Sequence, residues 1–184
     1  SELSYNILNN YHESLFVDLI EDEKIIIEPY QNWNGFTNIE LEIANSQETV
    51  IDSIYIEILP VNDSPEPFSL TTIDTIFLIN GENNSVDFSW ESSFDVDGDS
   101  IYYSFKSDLI KIENNQHYVI YSYLENTLFN HFQIDSQELL DIIGDSSTSE
   151  SILRWNVFAI DGFDSTISSN GFDTVNIQTT NELS

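Results

Sequence analysis

The sequence contains no cysteine and no methionine, and lysine and arginine together supply only four of its 184 residues. Without cysteine, no disulfide can staple the fold, which leaves metal ions as the remaining common way to stiffen small extracellular domains. No apolar run reaches the roughly 18 residues that suggest a membrane-spanning helix. The chain also lacks an initiating methionine and a signal-like start, so we expect a fragment or a mature segment of a longer protein.

The scarcity of basic residues leaves a strongly acidic chain. Thirty-three aspartates and glutamates give a formal net charge of −29. Such a chain cannot neutralise phosphates, which excludes nucleic acid as a natural partner, and anionic membrane surfaces are disfavoured as well. Repulsion on this scale destabilises a compact state unless cations screen or bind the charge. Because 40% of the residues are apolar and 13% aromatic, we nevertheless expect the chain to fold rather than to form a disordered acidic tail.

The first third of the chain is a series of short runs typical of β-strands. They alternate with turn-forming segments and fall at 3–8, 15–20, 24–28, 37–43 and 53–59. In the fourth run the isoleucines and leucine recur at every second position, as in a strand with one buried face. Short strands at this spacing without a helix predict a β-sandwich.

The stretch 59–65 (LPVNDSP) separates two sets of strands. Proline lacks an amide donor and forces the residue before it into an extended conformation, so this stretch ends one strand pattern. After Pro67 a second set of runs begins. We therefore predict two domains, residues 1–63 and residues 64–184.

The second domain is also predicted to be rich in strands, about seven in number. The domain opens with residues 68–70 (FSL), and the seven runs lie near 75–79, 85–90, 101–105, 117–121, 126–133, 153–159 and 172–177. Residues 135–144 differ, because a capping residue, a stripe of leucines and isoleucines, and a final glycine predict one short helix. The predicted fold class is thus all-β: two tandem β-sandwich domains, the second carrying one short helix.

The first domain resembles a cadherin-like repeat of the kind strung in tandem in large bacterial surface proteins. The resemblance rests on residues 3–5, 25–29 and 32–35, and above all on the closing motif 60–65 (PVNDSP). The sequence departs from such repeats before the last strand pair, where the usual aspartate–glycine is replaced by residues 44–46 (ANS). That departure puts one metal ligand of the family in doubt.

Residues 66–178 resemble a fibronectin-III-like or immunoglobulin-like module of secreted bacterial proteins. The matching segments are 88–90 (FSW), 95–99 (DVDGD) followed by 101–103 (IYY), and 155–162 (WNVFAIDG). Together the two resemblances imply an extracellular, calcium-stabilised, non-catalytic array, with neighbouring domains of the same chain as partners.

The strongest candidate metal site is the acidic segment around Gly98. Asp95, Asp97 and Asp99 alternate, so three carboxylates can converge in a turning segment, and calcium takes about six to eight oxygen ligands. The segment is not an EF-hand, since its glycine stands too early and Lys106 occupies the place of the bidentate glutamate. The alternative is an ordinary acidic β-turn.

Further candidate ligands lie outside this segment. Asp63 and Glu66 stand in the connector, where the cadherin resemblance implies a clamp for ions; solvation of the connector is the alternative. Asp161, followed by Asp164, forms either a separate site or the cap of a turn, and the sequence favours the turn. Residues 21–23 (EDE) are expected to form a solvated hairpin tip.

Catalysis is the class of function with the least support. His12, His117 and His131 have no cysteine or patterned serine partner, and neither a nucleophile elbow nor a phosphate loop is present. Trp90 and Trp155 are expected in the core. Tyrosines that face outward can form a sugar-stacking platform, although ordinary cross-strand pairs are commoner.

These features predict a calcium-stabilised structural or adhesive module, a spacer or stalk of a large extracellular bacterial surface protein. A cell-surface protein or a polysaccharide is the expected adhesive partner. One alternative is a carbohydrate-binding accessory module of a secreted enzyme. Another is a purely structural sandwich whose acidity only serves solubility in salty water.

Overall fold

Strands account for most of the regular structure in this chain. The structure is a computed structural model that describes residues 3–10, 12–20, 24–82, 84–144 and 150–180. It contains thirteen strands and one helix within those residues, which confirms the predicted all-β class with one short helix. The chain divides into two compact units, Ser1–Asn62 and Asp63–Ser184, a division one residue from the predicted boundary.

The first unit contains the five predicted strands. They are β1 (Ser4–Asn10), β2 (Leu15–Ile20), β3 (Lys24–Pro29), β4 (Gly35–Ala44) and β5 (Thr49–Ile58). Antiparallel pairing joins β1, β4 and β5 into one sheet and β2 and β3 into another. Leu15 and Ile39 are its buried apolar side chains among the described residues. The predicted hairpin tip at residues 21–23 lies outside the described residues.

A side-chain amide shapes the turn between β4 and β5. Oδ1 of Asn45 accepts hydrogen bonds from the amides of Gln47 and Glu48 at 2.8 and 3.0 Å. The Asn45 amide in turn donates to the carbonyl of Glu48 at 3.0 Å. Asparagine favours such turns because its side chain mimics a backbone acceptor. At the position where the resemblance leads one to expect an aspartate, the chain therefore has an uncharged turn residue.

The second unit has a large sheet facing a small one. Its elements are β6 (Thr75–Ile79), β7 (Ser85–Ser89), β8 (Tyr102–Glu113), β9 (Gln116–Thr127), β10 (His131–Asp135), α1 (Ser136–Ile143), β11 (Glu150–Ile160), β12 (Ser165–Ile167) and β13 (Asp173–Thr180). The large sheet has the order β6-β13-β11-β8-β9, with β12 paired to β11, and β7 pairs with β10 in the small sheet. β6 and β13 run parallel, whereas the other pairs are antiparallel.

One of the strands predicted for this unit was wrong. Residues 126–133 do not form one strand, because β9 ends at Thr127 and β10 begins at His131. The Thr127 hydroxyl accepts a hydrogen bond from the Phe129 amide at 3.0 Å, which turns the chain between them. Residues 68–70 form no strand; Leu70 makes only an isolated bridge with Trp90.

Aromatic side chains fill the space between the two sheets of the second unit. Trp155 and Phe105 of the large sheet are fully buried, and the ring of Phe88 from the small sheet lies 5.0 Å from that of Trp155. Trp90 is 2% exposed, so the prediction that both tryptophans belong to the core is confirmed. Because side chains alternate across a strand, the residues of β8 on either side of Phe105 point away from this core.

The helix α1 closes one end of this core. Oδ1 of its N-cap residue Asp135 accepts hydrogen bonds from the amides of Gln137 and Glu138 at 2.8 and 3.1 Å. Gly144 ends the helix at a φ of +72°, a backbone conformation that favours glycine. Leu139 is fully buried against the core. No helix within the described residues has the length and apolarity to cross a bilayer.

Strand β9 lies at one end of the large sheet. In the part of the chain that the structure describes, it pairs only with β8. Tyr118, Val119 and Leu124 are among its exposed apolar side chains. The strand contains no proline and a single acidic residue, Glu125. The free side of β9 is therefore a long, weakly charged strand edge.

Candidate functional site

Asp95 organises the acidic loop between β7 and β8. Its Oδ1 accepts hydrogen bonds from the amides of Asp97 and Asp99 at 2.9 and 3.4 Å. Its carbonyl accepts from the amide of Gly98 at 3.2 Å, and Gly98 has a φ of +83°. An aspartate that caps the following amides, with a glycine at positive φ, is typical of a tight turn, the alternative to a metal site that the sequence left open for this segment.

The other carboxylate oxygen of Asp95 is buried without a donor. Asp95 is 8% exposed, and its Oδ2 has no hydrogen-bond partner in the described chain. Leaving a buried acceptor unsatisfied costs about 1–3 kcal/mol, and more when the group is charged. An anionic oxygen in this position fits a hard cation, which prefers carboxylate ligands.

The start of the second unit lies against this loop. The amide of Asp63 donates to Oδ2 of Asp97 at 2.7 Å, and the amide of Glu66 donates to the carbonyl of Phe94 at 2.9 Å. Pro65 between them is buried. The structure therefore brings the connector residue Asp63 next to the acidic segment, although 34 residues separate Asp63 from Asp97.

Ser93 holds the connector on the loop, a role that the sequence analysis missed. Its hydroxyl donates to the carbonyl of Glu66 at 2.5 Å, and its amide donates to the Tyr103 hydroxyl at 2.9 Å. A serine beside an acidic cluster carries no sequence signal for such a contact, since the partners lie at distant positions in the chain. Glu66 thus joins the loop through its backbone, while its side chain is exposed.

Asp161 forms the turn that its sequence favours. Its Oδ1 accepts hydrogen bonds from the amides of Phe163 and Asp164, both at 2.6 Å. The residue before it, Ile160, pairs with Tyr102 at the start of β8. Because the acidic loop leads into β8, Asp161 lies at the same end of the sheet as Asp99. The predicted turn is therefore present, and Asp161 lies at the end of the sheet where the acidic loop leads into β8.

The carboxylates are not preassembled into a metal cage. Within the described ranges, no group of three or more His, Cys, Asp or Glu side chains converges closely enough to hold a metal ion. The side chains of Glu66, Asp97 and Asp99 are exposed, whereas those of Asp95 and Asp161 are buried. A hard cation here would depend on Asp95 and Asp97 together with backbone carbonyls and water, a mixed set of ligands that calcium accepts.

A second polar cluster lies on the large sheet, outside the acidic loop. Asp108 on β8 accepts hydrogen bonds from the Ser122 hydroxyl and from Nη2 of Arg154, both at 2.7 Å. The Ser122 bond, followed by the Arg154 bond, lowers the pKa of Asp108 below its usual value. Nearby, burial raises the pKa of Tyr123, whose hydroxyl lies 3.3 Å from Oε1 of Glu138. Asp108 therefore stays ionised and Tyr123 stays neutral near pH 7.

Comparisons with known proteins give only distant structural similarity. No protein-family model and no curated protein sequence matches the chain. A crystal structure of domains from titin is similar at a TM-score of 0.29 and 10% identity, over 98% of this chain and 55% of that one. An endo-fucoidan hydrolase of glycoside hydrolase family 107 is similar at a TM-score of 0.29 and 13% identity, over 97% of this chain and 24% of the hydrolase. The chain thus spans about half of the titin structure and a quarter of the hydrolase. Similarity at these TM-scores gives no information about function.

Proposed function

We propose that this chain is a calcium-stabilised structural module built from β-sandwich domains. The observation that carries the proposal is the buried Asp95 oxygen without a hydrogen-bond donor. It lies in a loop whose neighbouring carboxylate, Asp97, already contacts the amide of Asp63. Calcium would supply the positive charge that this oxygen lacks.

The chain's own residues define what such an ion would stabilise. Asp95 already uses Oδ1 to hold the turn, which leaves Oδ2 for a cation. Asp97 links the loop to the connector, so ordering this loop also orders residues 63–66. Asp99 and Asp161, at the same end of the sheet, and Glu66 complete the candidate set of carboxylates. Binding at this place would therefore raise the stability of the second unit.

The wider role that we propose is that of a spacer, stalk or adhesive segment in an extracellular bacterial surface protein. Support comes from the charge of −29, the absence of cysteine and the resemblance of both domains to modules of such proteins. Neighbouring domains of the same chain would be the first partners, and a cell-surface protein or polysaccharide the adhesive one. In this role the chain performs no catalysis.

Thermal unfolding with and without calcium tests the proposal. The protein is melted in excess chelator, in calcium, and in sodium chloride at the ionic strength of the calcium sample. Specific binding adds stability by mass action, about 2.7 kcal/mol when free calcium is a hundredfold above Kd. We expect the melting temperature to rise in calcium well above its value in the matched sodium sample.

The sodium sample separates binding from screening. If sodium and calcium raise the melting temperature equally at matched ionic strength, the acidity serves only solubility and the specific site does not exist. Binding of calcium measured by calorimetry at about one ion per chain would favour the site near Asp95 over diffuse binding to the acidic surface.

A further inference from the structure

The outer face of the large sheet carries a groove of about 250 Å³. It is lined by residues 106–108 of β8, residues 122–124 of β9, and Phe172 just before β13. Strand register pairs Lys106 with Leu124 and Asp108 with Ser122. Because Phe105 and Leu109 of β8 point into the core, these four side chains share the opposite, outer face.

A fixed carboxylate forms the polar part of the groove. Asp108 is held on one side by Ser122 and on the other by Arg154, through the two bonds of 2.7 Å. Its two oxygens accept these bonds with lone pairs to spare, since a carboxylate offers about four acceptor sites. Ser122 and Asp108 thus present a hydroxyl and an oriented acceptor on one wall.

Lys106 places an ammonium group in this groove without a carboxylate partner. Among the described residues the ion pairs are Lys111 with Glu113 and Arg154 with Asp108. The Nζ of Lys106 lies instead 4.4 Å from the centroid of the Phe158 ring. In a chain with 33 acidic residues, a lysine held on an aromatic ring keeps its three N–H donors for another molecule.

Exposed apolar side chains form the remaining part of the lining. Phe172 is 54% exposed and Leu124 is 64% exposed. The guanidinium of Arg154 lies 5.0 Å from the Phe172 ring, so the pair that orients Asp108 also supports this aromatic ring. A few oriented polar groups beside an exposed apolar surface are typical of small-molecule sites.

We propose that this groove binds an uncharged pyranose unit of a polysaccharide. A sugar ring presents an apolar C–H face that suits Phe172 and Leu124, and hydroxyls that match Lys106, Asp108 and Ser122. The volume is below the roughly 300–1,000 Å³ of pockets for drug-sized ligands, which suits a single ring. The inference is independent of the calcium proposal, because the groove residues lie on β8, β9 and before β13 rather than in the acidic loop.

The charge of the chain argues for a neutral sugar. Lys106, Arg154 and Asp108 leave one positive charge at the groove, whereas the whole chain carries −29. A polyanionic polysaccharide must approach through the field of the whole chain, which repels it at low salt. A neutral sugar meets no such barrier and still uses the hydrogen-bond donors of Lys106.

Titration of the full chain with defined sugars tests the proposal. The probes are soluble cello-, manno- and laminari-oligosaccharides, with oligogalacturonate as the acidic probe, and binding is measured by calorimetry and by saturation-transfer NMR. We expect at least one neutral series to bind with an affinity that changes little with salt and is equal in calcium and in chelator.

Matched variants locate the binding. Lys106→Ala and Phe172→Ala should each weaken the neutral oligosaccharide about tenfold, the effect of losing roughly one aromatic or hydrogen-bonded contact. The controls are Lys24→Ala in the first unit and Phe77→Ala, an exposed phenylalanine on β6; neither should change the affinity. Melting curves of all four variants establish that they fold.

The outcomes are distinct from those of the calcium experiment. The proposal is overturned if no neutral series binds, if oligogalacturonate binds more tightly than every neutral probe, or if the folded Lys106→Ala and Phe172→Ala variants bind like their controls. None of these results bears on whether calcium raises the melting temperature.

Discussion

The backbone amide of Asp63 and the carboxylate of Asp97 form a hydrogen bond of 2.7 Å. This bond attaches the first residue of the second unit to the acidic loop that precedes β8. Proline at position 65 stiffens the same segment, because its ring limits φ. The loop and the start of the unit therefore form one structural element, and a change in either is expected to affect the other.

Replacing Asp95 tests whether its buried oxygen is the calcium ligand. Asp95→Asn retains an acceptor for the amides of Asp97 and Asp99 but removes the negative charge. We expect the variant to unfold near the wild-type temperature in chelator and to lose most of the increase that calcium gives. An unaltered increase in calcium would show that the ion binds elsewhere. Asp74→Asn, at an acidic residue outside the loop, is the matched control.

Removing the Asp97 carboxylate should loosen the start of the second unit even without calcium. Asp97→Ala deletes the acceptor for the Asp63 amide, and such a bond contributes about 1 kcal/mol net when it is exposed to solvent. We expect a loss of this size in chemical unfolding, and faster amide exchange at Asp63 in NMR. Asp99→Ala, which removes an exposed carboxylate from the same loop, should leave exchange at Asp63 unchanged.

The turn at Gly98 requires glycine because of its backbone conformation, and not because neighbouring atoms leave no room for a side chain. Its φ is +83°, and a Cβ at this position would meet no atom within 4 Å. Gly98→Ala should therefore destabilise the fold by about 1–2 kcal/mol through backbone strain alone. Gly98→Asn should cost less, since asparagine tolerates positive φ better. Equal losses for both variants in urea unfolding would contradict this explanation.

The pKa of Asp108 should depend on Ser122. The Ser122 hydroxyl is the main cause that lowers this pKa, so Ser122→Ala should raise it toward the usual value of about 3.9, while Ser122→Thr should not. A folded-state pKa below that of the unfolded chain contributes stability above about pH 4, and this contribution is lost as the pH falls through the folded-state pKa. NMR titration of the side-chain carboxyl carbon measures the shift directly. An identical titration in Ser122→Ala would assign the effect to Arg154.

The helix cap provides a test of local stability outside the acidic loop. Asp135→Ala leaves the amides of Gln137 and Glu138 without their acceptor and should destabilise the second unit by about 1 kcal/mol. Asp141 is a matched acidic residue later in the same helix, where its carboxylate accepts from the Gln137 side chain at 2.8 Å. Asp141→Ala should cost less in the same unfolding experiment. A larger loss for Asp141 would refute the capping role.

Local patterns were sufficient to predict most of the elements. Alternation of apolar residues located the five strands of the first unit, because each buries one face, as at Ile39. Asp135 or Ser136 as a cap and Gly144 as the final residue located the ends of the helix, because capping is a local effect, and the structure has Asp135 as the N-cap. The prediction failed at residues 126–133, where the hydroxyl of Thr127 turns a chain that is apolar enough to be read as a strand.

Contacts between distant residues could not be predicted in the same way. The bond between Asp63 and Asp97 depends on where the loop lies after folding, which no local pattern records. The groove depends on the register of β8 and β9, which shifts at Leu109 and Ile110. A register shift changes which side chains share a face, so Lys106 and Leu124 become neighbours only once the strands pair.

The free edge of β9 has a consequence for the solution behaviour of the protein. Within the described residues β9 pairs on one side only, and a strand edge of this length with exposed tyrosine, valine and leucine side chains is a template for pairing with a strand of another molecule. Proteins usually protect such an edge with lysine, proline or a bulge that twists it outward; β9 has neither lysine nor proline, and its one irregularity is the register shift at Ile120. Mutual repulsion between whole molecules, each carrying a net charge of −29, can take over that protective role. The acidity of the chain would then act as a colloidal barrier, strongest in dilute salt near neutral pH and weakest where protons or divalent ions neutralise the carboxylates.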